Sequence, residues 1–413
     1  MAATMKRERS SDKLDVYTKK KICRIASCFS DIDHIHFSFT EQLIQRLILE
    51  MGSIFHMNSL TFVKTRCLSI LLSNASDGCP FSRAFCRISE NDEEYSFASP
   101  FTKGLNILLK YLRTKEMPLD HKERFVLETL LHYIIDMEND AAQVPFKTLE
   151  ELEERDVAII LTNHLFGKLS TSSHFVIDKK WKEEDKDQKL CPCPNTECKI
   201  TGVFGDTAIG NPAVWHGNVD VIVNDQIVVD VLDVQIDHNS DRTPTEERGR
   251  SVCLLKNAQL IAETIVYSFL RKKRHPEYGQ FLFPCIGVNR KEMVVYFYDS
   301  ENDVLLQSSP ISLHSLAGNV NLVAIVVSWL VINPEYLCDG LPESLKEKTS
   351  GFFQDAEEAL SVYENELQFG DLRASCPNPK HNCNLVTNQL VEDLEKEWFQ
   401  LLQYIGQPDP NIT

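Results

Sequence analysis

Long apolar runs are missing from this sequence. The longest, Leu322 to Ile332, is broken by Ser328 and falls well short of the ~20 residues a membrane-spanning helix requires, so no transmembrane helix is expected. Cationic charge is also in deficit. Lys and Arg number 43 against 60 Asp and Glu, giving a net charge of −17 over 413 residues, so any contact with nucleic acid has to come from local patches rather than the overall field. Glycine and proline are few, 16 and 17, which excludes collagenous chains, and 43% hydrophobic residues exclude a wholly disordered one. The opening residues, MAATMKRERSSDKLDVYTKKK, carry charges where a secretory segment needs an apolar block, so no export signal is expected. The thirteen cysteines then read as reduced thiols of a nuclear or cytoplasmic protein, not a secreted one.

The length suits two or three packing units. Residues 1–24 hold eight Lys/Arg and three Asp/Glu, a basic arm that reads as a solvated, disordered tail, with nuclear targeting or phosphate contact as the sharper alternative. Residues 25–147 read as a helical region, because apolar residues recur at helical spacing over 38–51, 101–113 and 120–137, with Asp120 as N-cap of the last. His34 and His36 form an HxH pair with no third ligand nearby and read as incidental. Residues 148–169 open on Thr148 and Glu151, a capping box, and run into an apolar helix. A polar run, DKKWKEEDKDQK, reads as an exposed loop. The pattern then changes to Val/Ile-rich segments over 213–223 and 226–236, split by Asn224-Asp225, a β-hairpin signal. A helix over 251–271, strands over 281–288 and 292–298, and a helix over 317–332 follow. Residues 336–413 read as an acidic helical tail with a Cys/His loop.

The chemistry concentrates in WHGNVDVIVNDQIVVDVLDVQ. Asp220 sits mid-strand, where a carboxylate needs a partner, a metal or a solvated rim. Asp233 and Gln235, two apart on the next strand, share a face. A simple hairpin puts Asp220 opposite about position 229, so the sheet must twist or bulge to bring Asp233 to Asp220. If it does, two carboxylates and an amide oxygen form a corner suited to Mg²⁺ or Mn²⁺; each aspartate alone fits a solvated sheet face equally well.

The order helix, strand, strand, helix, strand, strand over 148–299, with Asp220 in a Gly-x-x-Asp context and Asp233-Val234-Gln235 thirteen positions on, resembles the PD-(D/E)XK nuclease superfamily. The resemblance implies a mixed α/β fold: a restriction endonuclease-like domain over 148–335, with the N-terminal helical region before it and the acidic helices after it. It implies a divalent-metal-dependent phosphodiesterase acting on DNA or RNA, with Asp220 and Asp233 holding the ion and Glu153 or Glu154 as the first-helix acid. Gln235, which stands where the family usually has Lys, would orient water. Gln259 and Glu263 fall where several branches carry a helix-borne Gln motif, and Lys256 could supply the missing cation. Asp230 could replace Asp233, but Leu232 would then occupy the amine position, so Asp233 is preferred. The competing reading is a catalytically inactive nuclease-fold scaffold that binds protein or nucleic acid. His216, beside Trp215, reads as a structural residue.

Two further patterns stand apart. Cys191, Cys193 and Cys198 give C-x-C-x4-C, and Cys376, His381 and Cys383 give C-x4-H-x-C; each lacks a fourth ligand for a tetrahedral zinc site, which one residue from elsewhere would complete. Arg271, Lys272, Lys273 and Arg274 form a basic cluster that either contacts nucleic acid together with the N-terminal arm or complements the dipole of its own helix. The acidic C-terminal helices are either a surface for a protein partner or a cover for the domain.

Overall fold

A computed structural model describes residues 41–55, 63–138, 149, 152–172, 174–182, 190–232, 253–314 and 320–370. Its spine is a mixed sheet in the order β2 (Cys86–Ser96), β1 (Lys64–Ser73), β11 (Val304–Ser308), β10 (Glu292–Asp299), β9 (Leu282–Val288), β8 (Ile227–Val231), β7 (Val221–Val223), β3 (Phe175–Asp178), β4 (Val203–Gly205). The pairs β8–β9 and β3–β4 are parallel; the other neighbours along this order are antiparallel. β12 (Ile311–Ser312) pairs with β10. A small second sheet joins β13 (Gln368–Phe369), β5 (Ala208–Gly210) and β6 (His216–Asn218).

Alternation along β10 divides the layers. Val294, Tyr296 and Tyr298 face α5 (Ala258–Arg274) and belong to its core cluster. Asn257 caps that helix, its side chain accepting from Leu260 N–H as an N-cap should. The helix lies close on the sheet at Gly287, where a Cβ would come within 2.2 Å of Leu260 Cδ1. Met293 and Phe297 face the other way. Ser328 of α6 (Leu322–Ile332) meets Met293, and the Phe97 and Phe101 rings each lie tilted 5.9 Å from Phe297. All of α6 is buried, which accounts for the longest apolar run as a helix enclosed on every side. Trp329 Nε1 donates to Val126 O of α3 (His121–Glu138) at 2.8 Å. α1 (Glu41–Phe55), α2 (Thr102–Thr114) and α4 (Glu154–Leu161) complete the described long helices.

Three expectations need correction. Residues 25–147 are not a helical region throughout, because β1 and β2 form a hairpin inside them. β2, CRISENDEEYS, is mostly polar because it is an edge strand with its charges toward solvent, a common guard against edge pairing. The boundary at 147/148 is crossed by the sheet itself, since β1 pairs with β11. A single compact unit begins at Gln42. Residues 352–369 are likewise packed into the core rather than standing off as a tail. Phe352 of α7 (Phe352–Ala356) lies 5.0 Å from the Tyr363 ring of α8 (Leu360–Asn365), 5.9 Å from Trp215 and Tyr298, and 6.0 Å from Phe269. No helix among the described residues is long and apolar enough to cross a membrane.

Removing Phe352 should therefore weaken the whole unit. Phe352→Ala is expected to cost about 3–5 kcal/mol in one cooperative urea transition, followed by circular dichroism and tryptophan fluorescence. A loss below about 1 kcal/mol, or an early separate transition, would show that the segment is peripheral.

Candidate active site

The site begins with the turn between β7 and β8. Asn224 and Asp225 both take left-handed backbone, φ 53° and 55°, as a primed hairpin turn requires, and Gln226 N–H closes the turn on Val223 O at 3.0 Å. The ladder starts one residue later, pairing Val223 with Ile227, Ile222 with Val228 and Val221 with Val229. Gln226 is the extra residue, so Asp220 lies opposite Asp230 rather than position 229. Opposed residues share a face, and the two aspartates interlock. Asp220 Oδ2 accepts from Val231 N–H at 2.8 Å and Asp230 Oδ1 accepts from Asp220 N–H at 3.1 Å.

α5 brings the next groups. Gln259 and Glu263, four residues apart on one helix face, point at Asp230. The Gln259 amide donates to Asp230 Oδ2 at 2.7 Å and to Glu263 Oε1 at 3.0 Å, while Glu263 Oε2 is buried without a hydrogen-bond partner. Burial drives the Asp230 and Glu263 carboxyls well above their ordinary range, and the neighbouring carboxylate charges push the same way.

A lysine supplies the counter-charge. At the end of β3, Asp178 Oδ1 accepts from Lys180 N–H at 3.0 Å, and this turn sends Lys180 Nζ to 3.1 Å from Asp220 Oδ1 and 3.5 Å from Asp178 Oδ2, over the Trp181 ring. Partial burial works to lower the Lys180 pKa, but the Asp220 carboxylate outweighs it and the ammonium is held above its usual value. Glu154, Lys180, Asn218, Asp220, Asp230 and Gln259 line a cleft of about 460 Å³, walled on one side by the turn at Phe81 and Ser82.

The placement of the anticipated residues is mixed. Asp220, Gln259 and Glu154 come together at the cleft, and Glu263 lies behind them. Asp230, the alternative second acid, lies opposite Asp220, one position on from the 229 that a simple hairpin gives; Asp233 and Gln235 lie outside the described residues, as do the N-terminal arm, His34 and His36. Glu153 is the exposed residue preceding α4. Lys256 does not reach the carboxylates. Its Nζ pairs with Glu90 Oε1 of β2 at 3.1 Å, because the left-handed turn there, φ 53°, directs it toward the hairpin that the sequence reading did not anticipate. His216 turns its ring back on Val214 O at 2.9 Å, a structural role. The cation that does reach the site, Lys180, was hidden in a polar run that reads as loop; the signal was Asp178-x-Lys180 directly after the apolar Phe175-Val176-Ile177.

Of the two readings of the basic cluster, the contacts favour the local one. Arg271 is buried, 3.4 Å from Asp225 and packed over Tyr278 and Phe283. Arg274 pairs with Asp225 at 3.1 Å and covers Phe369. Lys272 and Lys273 bond to the carbonyls of Ser300 and Leu367. These cations fasten the end of α5 to its surroundings and do not form an open cationic face.

A second cluster lies apart from the cleft. Beyond α4 the helix continues as a π-helical turn, Thr162–Phe166, and His164 on that turn meets the C-x-C-x4-C loop. One ligand atom from each of His164, Cys191, Cys193 and Cys198 lies within 4.8 Å of every other, a set able to hold a metal such as zinc. Burial lowers the His164 pKa to about 4 and raises the Cys191 and Cys198 thiols. Cys376, His381 and Cys383 lie outside the described residues. Every cysteine among the described residues is a free thiol. No protein-family model, no curated protein and no solved structure matches the chain.

The carboxyl pair makes stability depend on pH in a set direction. A carboxyl whose folded pKa is raised binds more protons folded than unfolded, so the stability of the metal-free protein falls as pH rises from the ordinary carboxylate range through the elevated values. Thermal unfolding in chelator between pH 5 and 8 should show this fall, and Glu263→Gln should make it shallower without abolishing it, since Asp230 and the other raised carboxyls, Glu128, Asp303, Glu335 and Asp339, remain. An unchanged slope would mean that Glu263 is not part of the coupled cluster.

Proposed function

We propose that this chain is a divalent-metal-dependent phosphodiesterase acting on DNA or RNA, with Asp220 and Asp230 as the paired acids. The observation that carries the reading is the hairpin register, which sets those two carboxylates opposite each other at the mouth of a cleft with Lys180, Gln259 and Glu154. The donor set fits a hard divalent ion. Asp220, Asp230, Glu263 and nearby Asp178 crowd four carboxyls around one ammonium, and carboxylate oxygens are what Mg²⁺ or Mn²⁺ prefer. Asp220 and Asp230 would hold the ion, with Glu154 at the cleft wall. A bound ion of this kind polarises a phosphoryl oxygen and lowers the pKa of water.

The remaining roles fall to the chain. Gln259 fixes the orientation of Asp230 and Glu263 through its two amide bonds, so it is a positioning residue. Lys180, kept protonated by Asp220, serves as a donor to a non-bridging phosphate oxygen and not as a base; this reading gives it the place considered for Lys256. Asn218 adds an amide donor at the same wall, and its Nδ2 already leans on Asp178 Oδ1 at 3.4 Å. Phe81 excludes water from one side of the cleft. The resemblance assigns the second acid to Asp233 and a water-orienting role to Gln235, and the same experiment decides between Asp230 and Asp233.

Purified full-length protein is expected to cleave plasmid, single-stranded DNA or RNA with Mg²⁺ or Mn²⁺ and to stop in chelator. Asp220→Asn and Asp230→Asn should fall to background, Lys180→Ala should lose about 100-fold, Gln259→Ala about 10–100-fold, and Asp233→Ala should stay near wild type. Loss in Asp233→Ala with retention in Asp230→Asn would move the acid to 233. Full activity in Asp220→Asn, or no cleavage with any metal or substrate, would sink the hydrolase and leave the nuclease-fold scaffold.

A further inference from the structure

We infer that His164, Cys191, Cys193 and Cys198 form a structural zinc site that rivets the loop 190–199 to the π-helical turn after α4. The inference is independent of the phosphodiesterase reading. It starts from distances. His164 Nε2 lies 3.3 Å from Cys191 Sγ and 3.6 Å from Cys198 Sγ. A tetrahedral ion with Zn–S near 2.3 Å and Zn–N near 2.0 Å puts neighbouring ligand atoms about 3.4–3.8 Å apart, so the side chains already stand at the spacing of the corners around an ion. Three thiols and an imidazole gain little from one another without one, because thiols are weak donors and weak acceptors.

The backbone is built to hold that arrangement. Cys191 N–H bonds Cys198 O at 3.0 Å and Cys198 N–H bonds Asn195 O at 3.0 Å, while Leu190 bridges Lys199, closing a small knuckle over Pro192 and Pro194. Asn163, the neighbour of the fourth ligand, clamps the same loop. Its Oδ1 accepts from Thr201 N–H and Oγ1 at 3.0 and 3.2 Å, and its Nδ2 donates to Lys199 O at 3.2 Å and lies 3.6 Å from Cys198 Sγ. An amide donor aimed at a ligand sulfur is the support that steadies a metal-bound thiolate. Cys191 and Cys193 are 5% and 8% exposed, which suits a closed site with four protein ligands rather than an open catalytic one.

The position gives the ion a purpose. The knuckle lies in the connection between β3, which ends at the Lys180 turn, and β4, which pairs with β3. His164 lies ten residues along the same helical stretch from Glu154. One zinc therefore ties the loop that follows Lys180 to the helix that carries Glu154, in a chain where the sheet edge at β4 is only three residues long.

The full-length protein should carry zinc by elemental analysis, and His164→Ala and Cys198→Ser should each contain about one zinc per chain less than wild type. Cys376→Ser/Cys383→Ser and Cys253→Ser should keep the wild-type content, as should Asp220→Asn, which separates this site from the proposed cleft. His164→Cys, supplying a fourth thiolate, should restore the zinc lost in His164→Ala. Reconstitution with Co²⁺ should give the intense visible bands of a tetrahedral thiolate site, which does not depend on any variant folding. Zinc absent from wild type, unchanged in His164→Ala, lost only in Cys376→Ser/Cys383→Ser, or replaced by a disulfide between two of the three cysteines would each overturn the inference.

Discussion

Like charges buried side by side are the constraint around which the centre of this fold is arranged. Asp220 and Asp230 are each nearly inaccessible, at 3% and 2% exposure, and Glu263 is fully enclosed. Three carboxyls in so small a volume cannot all ionise unless something positive joins them. The protein supplies one ammonium, from Lys180, and several N–H donors, from Val231, Asp220 and Gln259. That is too little positive charge for three ionised acids, and the elevated Asp230 and Glu263 carboxyls record the shortfall. A core chosen for stability alone would replace such a cluster with apolar side chains of similar volume. In this chain the cluster stands at the mouth of a cleft, where helix α5 and strands β3, β7 and β8 converge.

Much of the scaffold was legible in the sequence because period and punctuation were strong. The helices at 102–114 and 121–138 and the strands at 282–288 and 292–299 lie close to where apolar spacing puts them, the helix expected over 251–271 starts seven residues later behind its Asn257 cap, and Asn224-Asp225 marks its turn. What could not be read was register and distance. One extra loop residue, Gln226, decides that Asp230 faces Asp220, and no periodicity reveals a single inserted residue. Lys180 and His164 become neighbours of Asp220 and the cysteines only through long-range pairing, Lys180 from 40 residues upstream in sequence and His164 from 27 residues before Cys191. Strand β2 stayed hidden for another reason. An edge strand guarded by charge carries little of the alternation by which a half-buried strand is recognised.

The basic cluster at the end of α5 shows why a charge run is weak evidence for a partner. Four consecutive cations looked like a phosphate-binding face, yet helical geometry spreads four successive residues around a full turn. They cannot all face one ligand. Arg271 and Arg274, three apart and therefore on one side, close on the same carboxylate, Asp225, in the hairpin turn itself. The turn that sets the Asp220–Asp230 register is thus held by the far end of the helix whose near end delivers Gln259 and Glu263. Helix α5 braces the hairpin at both ends, at the turn through arginine and at the acids through glutamine.

On the proposed reading, the two clusters divide metal chemistry by softness. Thiolates and imidazole favour zinc, whereas carboxylates suit magnesium and manganese, and a protein that offers both sets must keep its ions from exchanging places. The two sets differ in donor type and in surroundings. The ligand atoms of the His164 cluster lie within 4.8 Å of one another; the carboxyl cluster opens onto a cleft of about 460 Å³. An ion held in the first can only brace the loop it binds, while one held in the second would be reachable by water and substrate. The same helical stretch, from Glu154 at its start to His164 in its π-helical turn, runs between them. Rigidity at the closed cluster therefore bears on the cleft through ordinary packing, by fixing the axis of a helix whose first residue forms part of the wall.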